Sequence, residues 1–216
     1  MSGLPISLFW FGVLIALAYL PVVSVAPNWQ RSTLKTVPLT AFALAALVAG
    51  ASLWLVAALS LSAIGDFALS RRGERAFLAG LSAFALVHAC YVVLFLALAG
   101  QPLVAVFAGF PAASAAMVLL ALSTELWLIP HAGVLKWPVR GYVVLITLMM
   151  LSALLLPGAW RLATAGAAAF VFSDLLLSVE LFRMKENPRR FRFLPEMVWV
   201  LYIAGQGMIL WGTAAA

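Results

Sequence analysis

The sequence has very few of the residues that build disulfides and metal clusters. Its 216 residues include one cysteine, Cys90, and two histidines, His88 and His131. A single cysteine excludes an internal disulfide, and two distant histidines with one cysteine are too few ligands for a zinc site. We therefore expect neither a bound metal nor another cofactor.

Charged residues are also scarce, at 9% of the chain, whereas 66% of the residues are hydrophobic. Soluble domains are usually about half apolar and about a quarter charged. No soluble core could bury this much apolar surface, so the composition predicts an integral membrane protein whose surroundings are the bilayer. The formal charge of +6 then indicates membrane topology, and we expect no nucleic acid partner.

Continuous apolar runs, bounded by charges, proline or glycine, predict an all-α polytopic transmembrane bundle. At about 20 residues for each span, the chain is long enough for seven or eight helices. We predict eight spans in one transmembrane domain, residues 1–216. They lie near 5–25, 36–49, 51–70, 76–99, 103–123, 138–156, 161–182 and 195–213.

The basic residues predict the orientation of this bundle. All of them except Arg161 fall in the connections that follow the first, third, fifth and seventh spans. The positive-inside rule makes those connections cytoplasmic and puts both termini on the non-cytoplasmic side. The expected location is the bacterial cytoplasmic (inner) membrane. The last basic cluster, "FRMKENPRRFRF", belongs to this topology signal, and contact with anionic lipid headgroups is the sharper alternative.

Two aspartates lie inside predicted spans, Asp66 in the third and Asp174 in the seventh. An ionised carboxylate at the bilayer centre costs roughly 2.5–3.5 kcal/mol on insertion scales, so such residues usually face the bundle interior and have a function. Their surroundings, "IGDFALS" and "FSDLLLS", share the pattern D-x-x-L-S in the third span of each half. This match raises the possibility of a 4+4 parallel repeat.

Further polar side chains occur at a similar predicted depth. Most lie on the fourth, sixth and eighth spans, and a serine precedes the second aspartate. These residues are His88, Tyr91, Tyr142, Tyr202, Gln206 and Ser173. Together with the aspartates they predict a polar pocket between the spans.

Two membrane carboxylates allow several reactions. One protonated and one ionised carboxyl form an acid/base pair that cleaves acetals or vinyl ethers through an oxocarbenium-like state. The same residues suit peptide hydrolysis by an intramembrane aspartyl protease, or proton coupling in a membrane carrier of a small lipid or metabolite. The residues alone leave these alternatives open.

Four ordered segments resemble the YhhN-like lysoplasmalogenase family of integral membrane enzymes. "LSLSAIGDFALS", followed by "FLAGLSAFALVHACYVVLF", resembles the first family signature, and "GAAAFVFSDLLLSVELF" resembles the second. "RGYVVLITLMM" is similar to a span running from Tyr142 to Met149, and "YIAGQGMI" is similar to the final span. The protease reading is weaker, because a Pro-Ala-Leu signature is missing.

The resemblance implies eight spans and hydrolysis of the vinyl ether bond of a lysoplasmalogen, a lysophospholipid. The products would be a fatty aldehyde and a glycerophospho-alcohol. Asp66 and Asp174 would form the catalytic pair, with the six polar residues above as pocket or orienting groups. The predicted cytoplasmic position of the pocket suggests that basic residues bind the headgroup phosphate. The candidates are Lys35, Arg71, Arg72 and Lys136. Neither the residues nor the resemblance specifies an oligomeric state.

Overall fold

A computed structural model describes residues 4–183 and 193–214, and this part of the chain is helical, without strands. Helices are expected in a bilayer, because a helix satisfies its backbone hydrogen bonds within one segment. Nine α-helices form in the described residues. They are α1 (Ile6–Tyr19), α2 (Trp29–Val48), α3 (Leu53–Leu69), α4 (Glu74–Ala99), α5 (Ala105–Gly109), α6 (Pro111–Trp127), α7 (Lys136–Leu154), α8 (Arg161–Arg183) and α9 (Leu194–Thr213).

The second predicted span, 36–49, starts several residues after the beginning of the corresponding helix. The apolar run starts near residue 36, but α2 already begins at Trp29. Asn28 caps the helix, since its side-chain oxygen accepts a hydrogen bond of 2.8 Å from the backbone N–H of Arg31. Such a cap satisfies an N–H that has no partner within the helix. The first two turns therefore carry Arg31 and Lys35 into the folded bundle.

The fifth predicted span, 103–123, is divided into two helices. The short helix α5 ends at Gly109, and α6 runs from Pro111 to Trp127. Proline is well suited to the first position of a helix, because it lacks the N–H that would remain unbonded there. The break at Phe110 shifts the longer helix toward the next connection, so the predicted bounds were wrong.

Five helical segments of the described residues are long and apolar enough to cross a membrane. They are Glu74–Ala99, Pro111–His131, Gly133–Leu154, Gly158–Arg183 and Leu194–Thr213. The helical regions Ile6–Val22 and Leu53–Leu69 are apolar but shorter. The count of eight spans, the positions of the termini and the 4+4 repeat therefore stay predictions. Four basic residues of the topology argument, Lys185, Arg189, Arg190 and Arg192, lie outside the described residues.

Helices α8 and α9 cross at very short range, where two glycines face each other. A Cβ atom on Gly166 would lie 2.6 Å from the carbonyl oxygen of Gly205, and one on Gly205 would lie 2.8 Å from that of Gly166. Small residues permit such backbone approach between membrane helices. This crossing fixes Asp174 of α8 and Tyr202 of α9 relative to each other.

Candidate active site

A cavity of about 340 Å³ opens at one end of the bundle, and both aspartates line it. Its walls come from the later parts of α1, α3, α6 and α8 and the earlier parts of α2, α4, α7 and α9. The walls therefore belong to the end of the bundle at which residues 23–28, 70–73 and 128–135 connect the helices. The predicted topology makes this the cytoplasmic end.

Asp66 is held by a cation and a tyrosine. Its Oδ1 lies 3.5 Å from Nζ of Lys35 on α2, and its Oδ2 accepts a 2.9 Å hydrogen bond from the hydroxyl of Tyr202 on α9. The side chain of Asp66 is 2% exposed and that of Lys35 is 16% exposed. A carboxylate so deeply buried needs pairing and hydrogen bonds to remain charged, and both of its oxygens have a partner.

Asp174 is held by groups that carry no fixed positive charge. Its Oδ2 accepts a 2.5 Å hydrogen bond from the hydroxyl of Tyr142 on α7 and lies 3.3 Å from Nε2 of His88 on α4. The same Nε2 lies 2.9 Å from the Tyr142 hydroxyl. The side chain is 13% exposed, and its contacts within hydrogen-bond distance converge on Oδ2. Within residues 4–183 and 193–214, Oδ1 has no hydrogen-bonding partner.

Aromatic rings separate the two carboxylate sites. The ring of Phe170 lies with its centroid 4.9 Å from that of His88 and 5.4 Å from that of Tyr202. Phe84, which lines the cavity, packs edge-on against Tyr202 at 5.7 Å. The two aspartates thus share a cavity but have separate hydrogen-bonding partners, so each can hold its own protonation state.

The sequence model of the YhhN family matches residues 30–213. The chain belongs to the YhhN family. The match includes both aspartates and all of their hydrogen-bonding partners. Together with the apolar helices, it makes the chain a membrane protein.

Two curated proteins from mycobacteria are similar in sequence to this chain. It is 35% identical over 164 residues to proteins named lysoplasmalogenase from Mycobacterium bovis and Mycobacterium tuberculosis. The alignment covers 74% of this chain and 59% of each relative, so the chain matches less than two thirds of their length. No solved structure matches the chain significantly.

Three of the predicted pocket residues do not line the cavity: His88, which contacts Asp174, and Tyr91 and Gln206, which bond to each other. The Tyr91 hydroxyl donates to Oε1 of Gln206, and Nε2 of Gln206 donates to Oγ of Ser62 at 2.8 Å. All three side chains are buried. Tyr91, Gln206 and Ser62 link α4, α9 and α3 in a buried polar network, and none of the three is among the residues that line the cavity.

Ser173 lines the cavity but its hydroxyl has a structural partner. Its Oγ donates a 2.9 Å hydrogen bond to the carbonyl oxygen of Val198 on α9. This bond ties α8 to α9 beside Asp174. Ser173 therefore supports the position of the aspartate.

The four predicted headgroup cations are not gathered at the cavity. Lys35 lines it, whereas Arg71, Arg72 and Lys136 are absent from its walls. The guanidinium of Arg71 instead stacks on Trp29, at 3.6 Å from the ring centroid. A headgroup role for these three residues stays a prediction.

Sequence reasoning missed Arg31, which lines the cavity beside Lys35. Its Nε and Nη2 donate to the carbonyl oxygen of Val23, at 3.2 and 2.9 Å. The signal was available, because residues four apart in a helix share a face. In the described residues, no three His, Cys, Asp or Glu side chains are grouped in a way that could hold a metal.

Proposed function

We propose that this protein hydrolyses the vinyl ether bond of a lysoplasmalogen, releasing a fatty aldehyde and a glycerophospho-alcohol. The relatives named lysoplasmalogenase support the substrate class. The observation that carries the proposal is the pair Asp66 and Asp174, which face one cavity with different partners. We place the enzyme in the bacterial inner membrane, with lipid access from the cytoplasmic leaflet.

Vinyl ether hydrolysis requires a proton on carbon before water attacks. Protonation of the outer alkene carbon produces an oxocarbenium ion, the type of cation that glycosidases handle with two carboxyl groups. One carboxyl must be neutral to donate the proton, and the other must be charged to stabilise the cation. When two carboxyl groups have environments that favour different protonation states, one can act as the acid and the other as the base.

The partners of the two aspartates suggest which performs each role. Lys35 beside Asp66 favours the carboxylate, so Asp66 stabilises the oxocarbenium ion and orients water. Asp174 contacts a tyrosine and a histidine through Oδ2 and keeps Oδ1 available. We assign Asp174 as the general acid that protonates the substrate carbon.

The remaining steps return the enzyme to its starting state. Water adds to the oxocarbenium carbon and loses a proton to the Asp174 carboxylate, which restores the acid. The resulting hemiacetal breaks its bond to the glycerol oxygen, and its hydroxyl proton ends on the released alcohol. One water is consumed, and a fatty aldehyde and a glycerophospho-alcohol are released.

The cavity also suggests how the lipid binds. Apolar side chains on one face of α6, spaced three and four residues apart, line it at Met117, Leu120 and Ala121. This face suits the hydrocarbon tail. Arg31 and Lys35 supply positive charge for the phosphate, and arginine forms strong charge-assisted hydrogen bonds with phosphate oxygens.

The function is tested by aldehyde release from a lysoplasmalogen by the purified protein in detergent. Wild type is expected to release aldehyde, and Asp66→Asn is expected to lose this activity while still folding. A folded wild type that releases none would contradict the proposal. Flux that depends on a pH gradient in vesicles, without aldehyde, would favour the carrier alternative instead.

A further inference from the structure

A methionine sulfur contacts the histidine of the Asp174 site. Nδ1 of His88 lies 3.1 Å from Sδ of Met149, on the side of the ring opposite Asp174. Both side chains are 0% exposed, so water does not compete for this nitrogen. Met149 follows Tyr142 by seven residues on α7, which is two helical turns, so both side chains face α4.

The chemistry of the thioether restricts where the proton of His88 lies. A thioether sulfur accepts a hydrogen bond weakly and has no proton to donate. An unprotonated Nδ1 would direct its lone pair at the sulfur lone pairs. The sulfur therefore favours a proton on Nδ1, and in the neutral ring Nε2 is then left as an acceptor, because each nitrogen's hydrogen bond decides the state of the other.

We propose that Met149 is a positioning residue, which holds His88 as the Nδ1–H tautomer and so keeps Asp174 in its acid form. The inference rests on the proposed function, in which Asp174 donates the proton. It adds a role for a methionine that has no contact with the cavity.

The consequence for Asp174 follows from the number of donors around Oδ2. With the proton on Nδ1, Nε2 can only accept a hydrogen bond, from the Tyr142 hydroxyl at 2.9 Å or from the protonated carboxyl of Asp174 at 3.3 Å. A hydrogen bond given by the neutral carboxyl favours the acid form. With the proton on Nε2, both Tyr142 and His88 would donate to Oδ2. Hydrogen bonds donated to a carboxylate stabilise its charged form, so that tautomer would favour the ionised Asp174 and remove the acid.

The chain offers a matched pair of variants for the test. Met149→Leu removes the acceptor with little change in volume, and volume-conserving swaps of this kind are well tolerated. Met150→Leu is the same substitution one residue later, on a half-buried side chain that packs against the core. Met149→Gln replaces the sulfur with an amide oxygen, which is also an acceptor for Nδ1–H.

The tautomer is read by ¹⁵N NMR of the imidazole in a His131→Asn background, because His88 is then the only histidine. We expect the Nδ1–H form in the parent, in Met150→Leu and in Met149→Gln, and the Nε2–H form in Met149→Leu. In aldehyde release, kcat of Met149→Leu should fall about tenfold with KM unchanged, since general acid catalysis as a whole contributes about 10²–10⁴-fold. Met149→Gln should restore most of the rate.

An Nε2–H tautomer in the parent protein would overturn the inference, as would a Met149→Leu variant with the parent tautomer and the parent kcat. If Met149→Leu does not fold, the tautomer of the parent protein and of Met150→Leu still decides the question. A parent protein with the Nδ1–H tautomer and no aldehyde release would refute the proposed function, while the NMR result would still support the role of Met149.

Discussion

Asp66 and Asp174 lie on the third predicted span of each half of the chain, and their partners come from corresponding helices. Asp66 contacts Lys35 on α2, the helix before it, and Tyr202 on the last span of the other half. Asp174 contacts Tyr142 on the span before it and His88 on the last span of the other half. The positions correspond, but the chemistry of the partners differs.

The difference lies in charge and exposure. The Asp66 site has a lysine and is 2% exposed, whereas the Asp174 site has an aromatic hydroxyl and an imidazole and is 13% exposed. The lysine favours the ionised form of Asp66 against the cost of its deeper burial, and partners without a fixed charge permit the neutral acid at Asp174. Two similar aspartates can thus perform opposite roles because their neighbours differ.

The largest expected effect is the loss of the acid. Asp174→Asn should lower kcat about 10³-fold, within the range of general acid catalysis. The amide oxygen can still accept from Tyr142, so the variant should unfold near the wild-type temperature. Initial rates of aldehyde release, with circular dichroism melts, measure both. A rate within tenfold of wild type would mean that Asp174 is not the acid.

The next effect concerns the ion pair of the other site. Lys35→Met should destabilise the protein by about 3 kcal/mol, because Asp66 is left buried without its cation. The double variant Lys35→Met/Asp66→Asn should recover more than half of this loss. Denaturation in detergent of the single and double variants gives the coupling. Strictly additive losses would show that the pair is not coupled.

The two tyrosine hydroxyls allow a direct comparison. Tyr142→Phe removes a hydroxyl that contacts both Asp174 and His88. We expect kcat to fall about 30-fold, because this hydroxyl stabilises the charge that Asp174 acquires as it gives up its proton, and a hydrogen bond to a charged group contributes about 2 kcal/mol. Tyr202→Phe should cost only about threefold, because Lys35 still holds Asp66. Equal losses in the two variants would contradict the division of roles.

The smallest effect concerns the helix crossing that supports Asp174. Gly166→Ala would bring a Cβ within 2.6 Å of the Gly205 carbonyl oxygen, and overpacking of this kind costs about 1–3 kcal/mol. Gly141→Ala, on α7, has no atom within 4 Å of the new Cβ. It should be neutral or stabilising by up to about 1 kcal/mol, since alanine favours helix. Thermal unfolding of both variants makes the comparison, and equal melting temperatures would contradict the close crossing.

The helical class of the chain could be predicted from the sequence, because apolar runs are local signals, but the bounds of the second and fifth predicted spans differ from the helices. The partners of each aspartate could not be predicted, because they depend on which helices become neighbours and how each is rotated. Lys35 was expected at the lipid headgroup, yet it also pairs with Asp66. Tyr91 and Gln206 were expected in the pocket, yet they bond to each other behind it.

The position of Phe170 could not be predicted from the sequence either. It is an ordinary apolar residue in the sequence, and only the packing of α4, α8 and α9 places its ring between the two sites. Helical periodicity specifies the faces of one helix. It does not specify which faces meet.

The central claim, that Asp174 protonates a vinyl ether carbon, is tested most directly by hydrolysis in D₂O. The aldehyde is reduced as it forms and analysed by mass spectrometry. One deuterium on the carbon next to the former aldehyde carbon is predicted for wild type, with product almost absent for Asp174→Asn. Aldehyde without deuterium at that carbon would show that the bond breaks without protonation there, and would contradict the account.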